Sequence, residues 1–141
     1  MKSGVEIKVR NYHLDQFGHV NNARYLEFLE EGRWTYSEEN GLVEIYEKQG
    51  IGHVAVNINI NYRKSAVAGD ILIIETDVSK KSEKSVTMQQ KVFLEDSKTL
   101  IADAAVTNVF LDVKTGNVLT TAELSCFWGE LSGMASSDRN Q

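Results

Sequence analysis

The sequence predicts an α+β domain in which one long helix packs against a largely antiparallel sheet of about five strands. Three observations carry that prediction. A single long segment places its apolar residues at three-and-four spacing; the other ordered segments alternate apolar with polar residues; and short polar turns join the later alternating segments, as antiparallel neighbours allow. The 141 residues, 42% of them hydrophobic and 25% charged, match one ordinary soluble domain. A chain of that length buries on the order of 70% of its unfolded surface. Proline is absent, so glycine, asparagine and serine must make the turns.

The first strand begins at Val5, where Val5, Ile7 and Val9 alternate with Glu6, Lys8 and Arg10. A loop rich in glycine and asparagine runs from Asp15 to Asn22. From Ala23 onward, Tyr25, Phe28, Leu29, Gly32 and Tyr36 share one side of a helix whose outer side carries Arg24, Glu27, Glu31 and Glu38. Asn21 or Asn22 suits its N-cap, and Asn40-Gly41 suits its end, because asparagine and glycine accept left-handed backbone. A short irregular piece follows. His53 to Tyr62 then reads as a strand with Val54, Val56, Ile58, Ile60 and Tyr62 on one face and Ala55, Asn57, Asn59 and Asn61 on the other. Gly69-Asp70 turns the chain into a strand from Ile71 to Val78, and the polar group from Ser79 to Lys84 leads into Val86 to Leu94. The last strand, Leu100 to Val113, ends at Thr115-Gly116-Asn117. It is apolar on both faces, so something must bury the second face too, either a second copy of the chain or, for a central strand, a loop lying over it. Thr120 to Trp128 suits a short closing helix. From Ser132 the apolar content is too low to pack, so the expected organisation is one domain over residues 1–128 and a flexible tail over 129–141.

The net charge of −5 argues against a protein held on nucleic acid or anionic lipid by bulk charge. No apolar run approaches a membrane span, and the first residues do not form a secretory signal, so a cytoplasmic protein with no membrane partner is expected. The single cysteine, Cys126, excludes an internal disulfide framework and is expected as a packed apolar residue. His13, His19 and His53 have no metal-like spacing, so no metal site is expected. Gly50-Ile51-Gly52-His53-Val54-Ala55 has the letters of a dinucleotide fingerprint, but a strand follows it where that motif needs a helix.

The chemistry-bearing residues converge on the loop before the helix, Asp15-Gln16-Phe17-Gly18-His19-Val20-Asn21-Asn22-Ala23. It sets a carboxylate, a histidine and two amides beside a helix N-terminus. There unpaired N–H groups and the partial positive charge of the helix can polarise a carbonyl or hold an oxyanion. A carboxylate within reach can act as general base or nucleophile, so acyl transfer is the reaction the loop suits. Each residue also has an ordinary local role: Asp15 as turn-former, His19 as packed loop residue, Asn21 and Asn22 as caps.

The run Asp15-x-x-Gly18-His19-Val20-Asn21-Asn22-x-x-Tyr25-Leu26, continued by Glu30-Glu31-Gly32-Arg33, resembles the helix-entry motif of hotdog-fold acyl-CoA thioesterases of the 4-hydroxybenzoyl-CoA thioesterase-like family. Asn61-Tyr62-Arg63-Lys64, Ala66 and Gly69-Asp70 resemble that family's second strand and following turn. The resemblance implies a hotdog fold, a long helix wrapped by a curved antiparallel sheet, continued across a homodimer with sites at the interface; such pairs commonly form homotetramers. It implies an acyl-CoA substrate and no cofactor, coenzyme A being part of the substrate. Asp15 would attack the thioester carbonyl or activate water, the backbone amides near Asn22 and Ala23 would polarise that carbonyl, and His19 and Asn21 would shape the loop. Thioesters suit so small a set of groups, because the carbonyl is already electrophilic and the thiolate leaves readily.

Arg63 and Lys64 are the basic pair placed to meet coenzyme A phosphates, ahead of Lys80, Lys81 and Lys84. Tyr25, Phe28 and Val56 are expected contacts for the acyl group. Glu30 and Glu31 are the competing carboxylates, and helical geometry turns Glu31 outward. The family's frequent proline near Ser65-Ala66 is missing here. A non-catalytic acyl-CoA or acyl-carrier binding module is the alternative function, and a dehydratase-type hotdog a third, against which the Asp15 motif weighs.

Overall fold

A computed structural model describes residues 2–128; the tail expected at 129–141 lies outside them. Strand β1 (Lys2–Lys8) leads through one 3₁₀ turn (Asn11–His13) and a loop to α1 (Asn22–Glu39), which is followed by α2 (Leu42–Gln49). Strands β2 (Ile51–Tyr62), β3 (Ile71–Lys81), β4 (Val86–Leu94), β5 (Leu100–Asp112) and β6 (Val118–Leu119) come next, and α3 (Thr121–Trp128) closes the described chain. The sheet runs β1-β3-β4-β5-β2 with β6 beside β5, and every pairing is antiparallel. The α+β architecture read from the sequence is therefore present, with β2 at an edge.

The core lies between α1 and the sheet. Tyr25, Phe28 and Leu29 of α1 pack with Leu72, Ile74, Val92, Ala104 and Val106, and a smaller cluster joins Tyr36 to Tyr46 of α2, Phe110 and Leu124. Gly32 is the point of closest approach. A Cβ there would stand 2.7 Å from Ile74 Cγ2, 2.8 Å from Thr76 Oγ1 and 2.9 Å from Gln90 Nε2. The buried Gln90 amide fastens helix to sheet: Nε2 donates to Leu29 O at 2.9 Å and to Thr76 Oγ1 at 2.8 Å, while Oε1 accepts from Arg33 Nη1 at 3.1 Å.

Three expectations change. The piece before β2 is a helix, α2, held by Leu42 and Tyr46 at four-residue spacing and ended at each side by left-handed Gly41 and Gly50. In β2 a bulge between Ala55 and Asn57 breaks the alternation, so His53 and Ala55 share the inner face with Ile58, Ile60 and Tyr62, and Val54 does not. Strand β5, apolar on both faces, is central, paired by β4 and β2, and further apolar surface is uncovered on β2 and α1. Cys126 is exposed, its Sγ donating to Glu123 O at 3.0 Å, because α3 turns Leu124 into the core.

Candidate active site

The loop from Asp15 to Asn21 is held from several sides. An antiparallel bridge joins Leu14 to Val20, Asp15 N–H donates to His19 O at 2.8 Å, and Gly18 N–H donates to Asp15 O at 3.1 Å. Gly18 sits at φ +78, a conformation that disfavours residues with a Cβ. The Asp15 carboxylate orients itself through Oδ1, which accepts from Phe17 N–H at 2.8 Å and His19 N–H at 3.2 Å. Val20 N–H donates to Ala66 O at 2.9 Å and Asn21 N–H to His13 O at 2.9 Å, tying the loop to the turn after β2 and to the 3₁₀ turn. That second anchor is fixed by His13, whose Nδ1 accepts from Arg10 N–H at 2.9 Å and whose ring meets Phe28 edge-on at 5.0 Å. Burial, then the nearby Arg24, lowers the His13 pKa below the ordinary imidazole range.

Asn21 is the N-cap of α1: its Oδ1 accepts from Ala23 N–H at 2.9 Å, and its backbone oxygen accepts from Arg24 N–H at 2.9 Å. The Ala23 amide, expected to face a substrate, is thus engaged by the cap. The Asn22 N–H is the first-turn amide that the cap does not use.

A cavity of about 340 Å³ opens between this loop, the start of α1 and the end of β2, lined by Asp15, His19, Asn22, Tyr25, Tyr62 and Lys64 among others. Asp15, His19, Asn22, Arg63 and Lys64 come together around it, whereas Asn21 and Ala23 do not line it. Of the expected acyl contacts, Tyr25 lines it, Phe28 is core behind it, and Val56 sits exposed at the β2 bulge. Tyr62 also lines it, although the sequence places it only in the strand and its closing motif and gives it no role at the site. Its hydroxyl donates to Asn22 O at 3.0 Å and its ring meets Tyr25 edge-on at 5.6 Å. The signal for it was its place as the aromatic end of an alternating strand, next to Arg63 and Lys64. Burial, then Tyr62 and Asp70, pushes the Tyr25 hydroxyl up to about 12, so it remains protonated at neutral pH.

The two expected phosphate cations differ. Arg63 Nε donates to Asp103 Oδ2 at 2.8 Å, and Asn61 Nδ2 donates to Asp103 Oδ1 at 3.2 Å. The pairing raises the Arg63 pKa and lowers that of Asp103, each chiefly through their hydrogen bond. Lys64 lines the cavity from the same turn. Of the competing helix carboxylates, Glu30 accepts from Trp34 Nε1 at 3.4 Å, away from this cavity.

Residues 9–128 match the family model of the thioesterase-like superfamily. The chain belongs to that superfamily. It is 46% identical over 114 residues to the long-chain acyl-CoA thioesterase FadM of Escherichia coli, covering 81% of this chain and 86% of that protein. The crystal structure of the probable thioesterase YbaW from Escherichia coli superposes with a TM-score of 0.82 at 43% identity, covering 91% of this chain and 94% of the other. A 4-hydroxybenzoyl-CoA thioesterase structure shares the fold at a TM-score of 0.75 and 20% identity, covering 84% and 90% of the two chains. The helix against a curved antiparallel sheet is the hotdog fold.

Proposed function

We propose that this protein is an acyl-CoA thioesterase in which Asp15 acts on the thioester as nucleophile or general base. The observation that carries the reading is the cavity shared by the Asp15 carboxylate, the first turn of α1 and Lys64, in a chain of the thioesterase-like superfamily. The substrate carbonyl lies toward the Asn22 N–H, where the helix dipole and the amide stabilise the oxyanion. Asp15 then either takes a proton from the attacking water or attacks the carbonyl carbon itself, giving an anhydride that water hydrolyses. In both routes the C–S bond breaks, coenzyme A leaves as thiolate, and the free acid remains. Lys64 binds a coenzyme A phosphate as a point charge, while Arg63 is shared with Asp103. In this reading Asn21 holds the helix start through its cap on Ala23, and His19 closes the loop through its backbone.

We further propose a homodimer. Strand β2 is an edge strand 12 residues long, and Val54, Val56, Ile58 and Tyr62 on it, with Leu26 and Trp34 on α1, leave apolar surface uncovered. Such an edge is a template for pairing with a second copy.

Release of free thiol from a panel of acyl-CoA esters of increasing chain length tests the function. Saturable turnover of at least one ester supports it. Thermal stabilisation by acyl-CoA with no thiol released makes the protein a binding module of the same fold.

A further inference from the structure

The 3₁₀ turn from Asn11 to His13 lies just before the Asp15 loop, and its carbonyls carry the start of α1. His13 O accepts from Asn21 N–H at 2.9 Å, and Tyr12 O accepts from Arg24 Nη2 at 3.2 Å. Asn21 in turn caps Ala23, and Asn22 beside it lines the Asp15 cavity. Leu14, next after His13, bridges to Val20 and closes the loop. The placing of Asp15 and of the Asn22 N–H therefore depends on the shape of one three-residue turn. Two backbone bonds hold that turn, His13 N–H to Arg10 O at 3.0 Å and Leu14 N–H to Asn11 O at 3.1 Å. Bonds of this 3₁₀ kind have poorer geometry than those of an α-helix, and a side chain adds a third.

The third bond runs from Arg10 N–H to His13 Nδ1 at 2.9 Å. It is the bond that a glutamate or glutamine at the third helical position makes to the N-cap N–H in a capping box. Histidine can make it only while neutral, with its proton on Nε2, because the imidazolium carries N–H at both ring nitrogens. Protonation would set Nδ1–H against Arg10 N–H, donor facing donor. The ring is 8% exposed, with Tyr12 at 4.4 Å and Phe28 edge-on at 5.0 Å. The charged groups that face it are Arg24 and Glu27 of α1, paired with each other at 2.9 Å, and Arg10 of the turn itself. Burial first, then Arg24 and Arg10 against the opposing Glu27, disfavour the charged ring.

Resting on the acyl-CoA reading above, we infer that His13 is a positioning residue: its neutral imidazole holds the turn that aims Asp15 and the Asn22 N–H, and its protonation releases that turn and disarms the site. His13 does this without lining the Asp15 cavity, whereas His19 does line it. The folded chain disfavours the proton on His13 relative to the unfolded chain. The stability the closed turn contributes is therefore whole above the ordinary imidazole value of 6.5 and declines as the pH falls below it. Loss of activity in the same window then follows the turn.

The test measures kcat and KM for hexadecanoyl-CoA from about pH 5 to about pH 8 with wild-type, His13→Ala and His13→Gln protein. NMR follows the His13 ring and the Asn21 and Asn22 amides of the wild type over the same range. Alanine offers Arg10 N–H no acceptor, whereas glutamine offers one that does not titrate. At the alkaline end His13→Ala is expected to lose roughly tenfold in kcat with KM little changed, and His13→Gln to recover most of that loss. The acid limb of the wild-type kcat profile is expected at the midpoint shared by the ring and the two amides, and roughly half a pH unit or more lower in His13→Gln. An acid limb at the same pH in wild type and His13→Gln overturns the inference, and so does a ring that titrates while both amides stay in place. Should His13→Gln fail to fold, the wild-type NMR titration decides alone. Amides that move with the ring in a protein that turns over no acyl-CoA uphold His13 as the support of the loop and overturn only the thioesterase reading.

Discussion

The Asp15 carboxylate has its orientation set by two backbone N–H bonds to one oxygen, which gives a short side chain on a loop the fixed aim that acyl chemistry needs. Beside it, Lys64 and Arg63 illustrate how neighbouring cations acquire different roles. Arg63 lies against Asp103, on β5, whereas Lys64 faces the cavity. Lys64→Ala is therefore expected to raise KM for acyl-CoA several-fold while kcat changes by less than about twofold, and added salt should mimic the loss. Steady-state kinetics at two ionic strengths checks this; an unchanged KM would move the phosphate contact elsewhere. The motif pointed to Asp15, but the cap on Ala23 was not legible. Which of two adjacent asparagines caps a helix depends on backbone angles, here −62 and 136 at Asn21, and these depend on the anchors at His13 and Ala66.

At the scale of elements, the closeness of α1 to β3 and β4 rests on Gly32. Gly32→Ala gains roughly 1 kcal/mol of helix propensity but forces a Cβ to within 3 Å of Ile74, Thr76 and Gln90, an overpacking cost of about 1–3 kcal/mol or more. The net expectation is destabilisation and a lower urea midpoint; a higher midpoint would show that helix and sheet can separate without loss. Most elements were legible because their periods are clean and their turns carry glycine or asparagine. The bounds of β4 coincide with the reading, Val86–Leu94. Two features were not. The α2 helix is one short amphipathic piece between two glycines, and nothing local distinguishes that from a loop. The bulge in β2 preserves the look of alternation while shifting its phase, so a face read from spacing alone carried Val54 to the wrong side.

For the whole molecule, the uncovered apolar edge of β2 and the exposed Leu26 and Trp34 make the single chain an incomplete surface. Sedimentation equilibrium is expected to give twice the chain mass of 15.8 kDa, and Ile58→Lys is expected to shift the protein toward one copy. A wild-type monomer with full activity would contradict the pairing. The proposed thioesterase holds the thioester at the helix start, in the cavity lined by Asp15. The claim on which this depends is that Asp15 performs the chemistry. The direct measurement is kcat for a long-chain acyl-CoA with Asp15→Asn protein whose mass and melting temperature match the wild type. The account predicts a fall of roughly a hundredfold or more with KM little changed; turnover within a few-fold of wild type would contradict it.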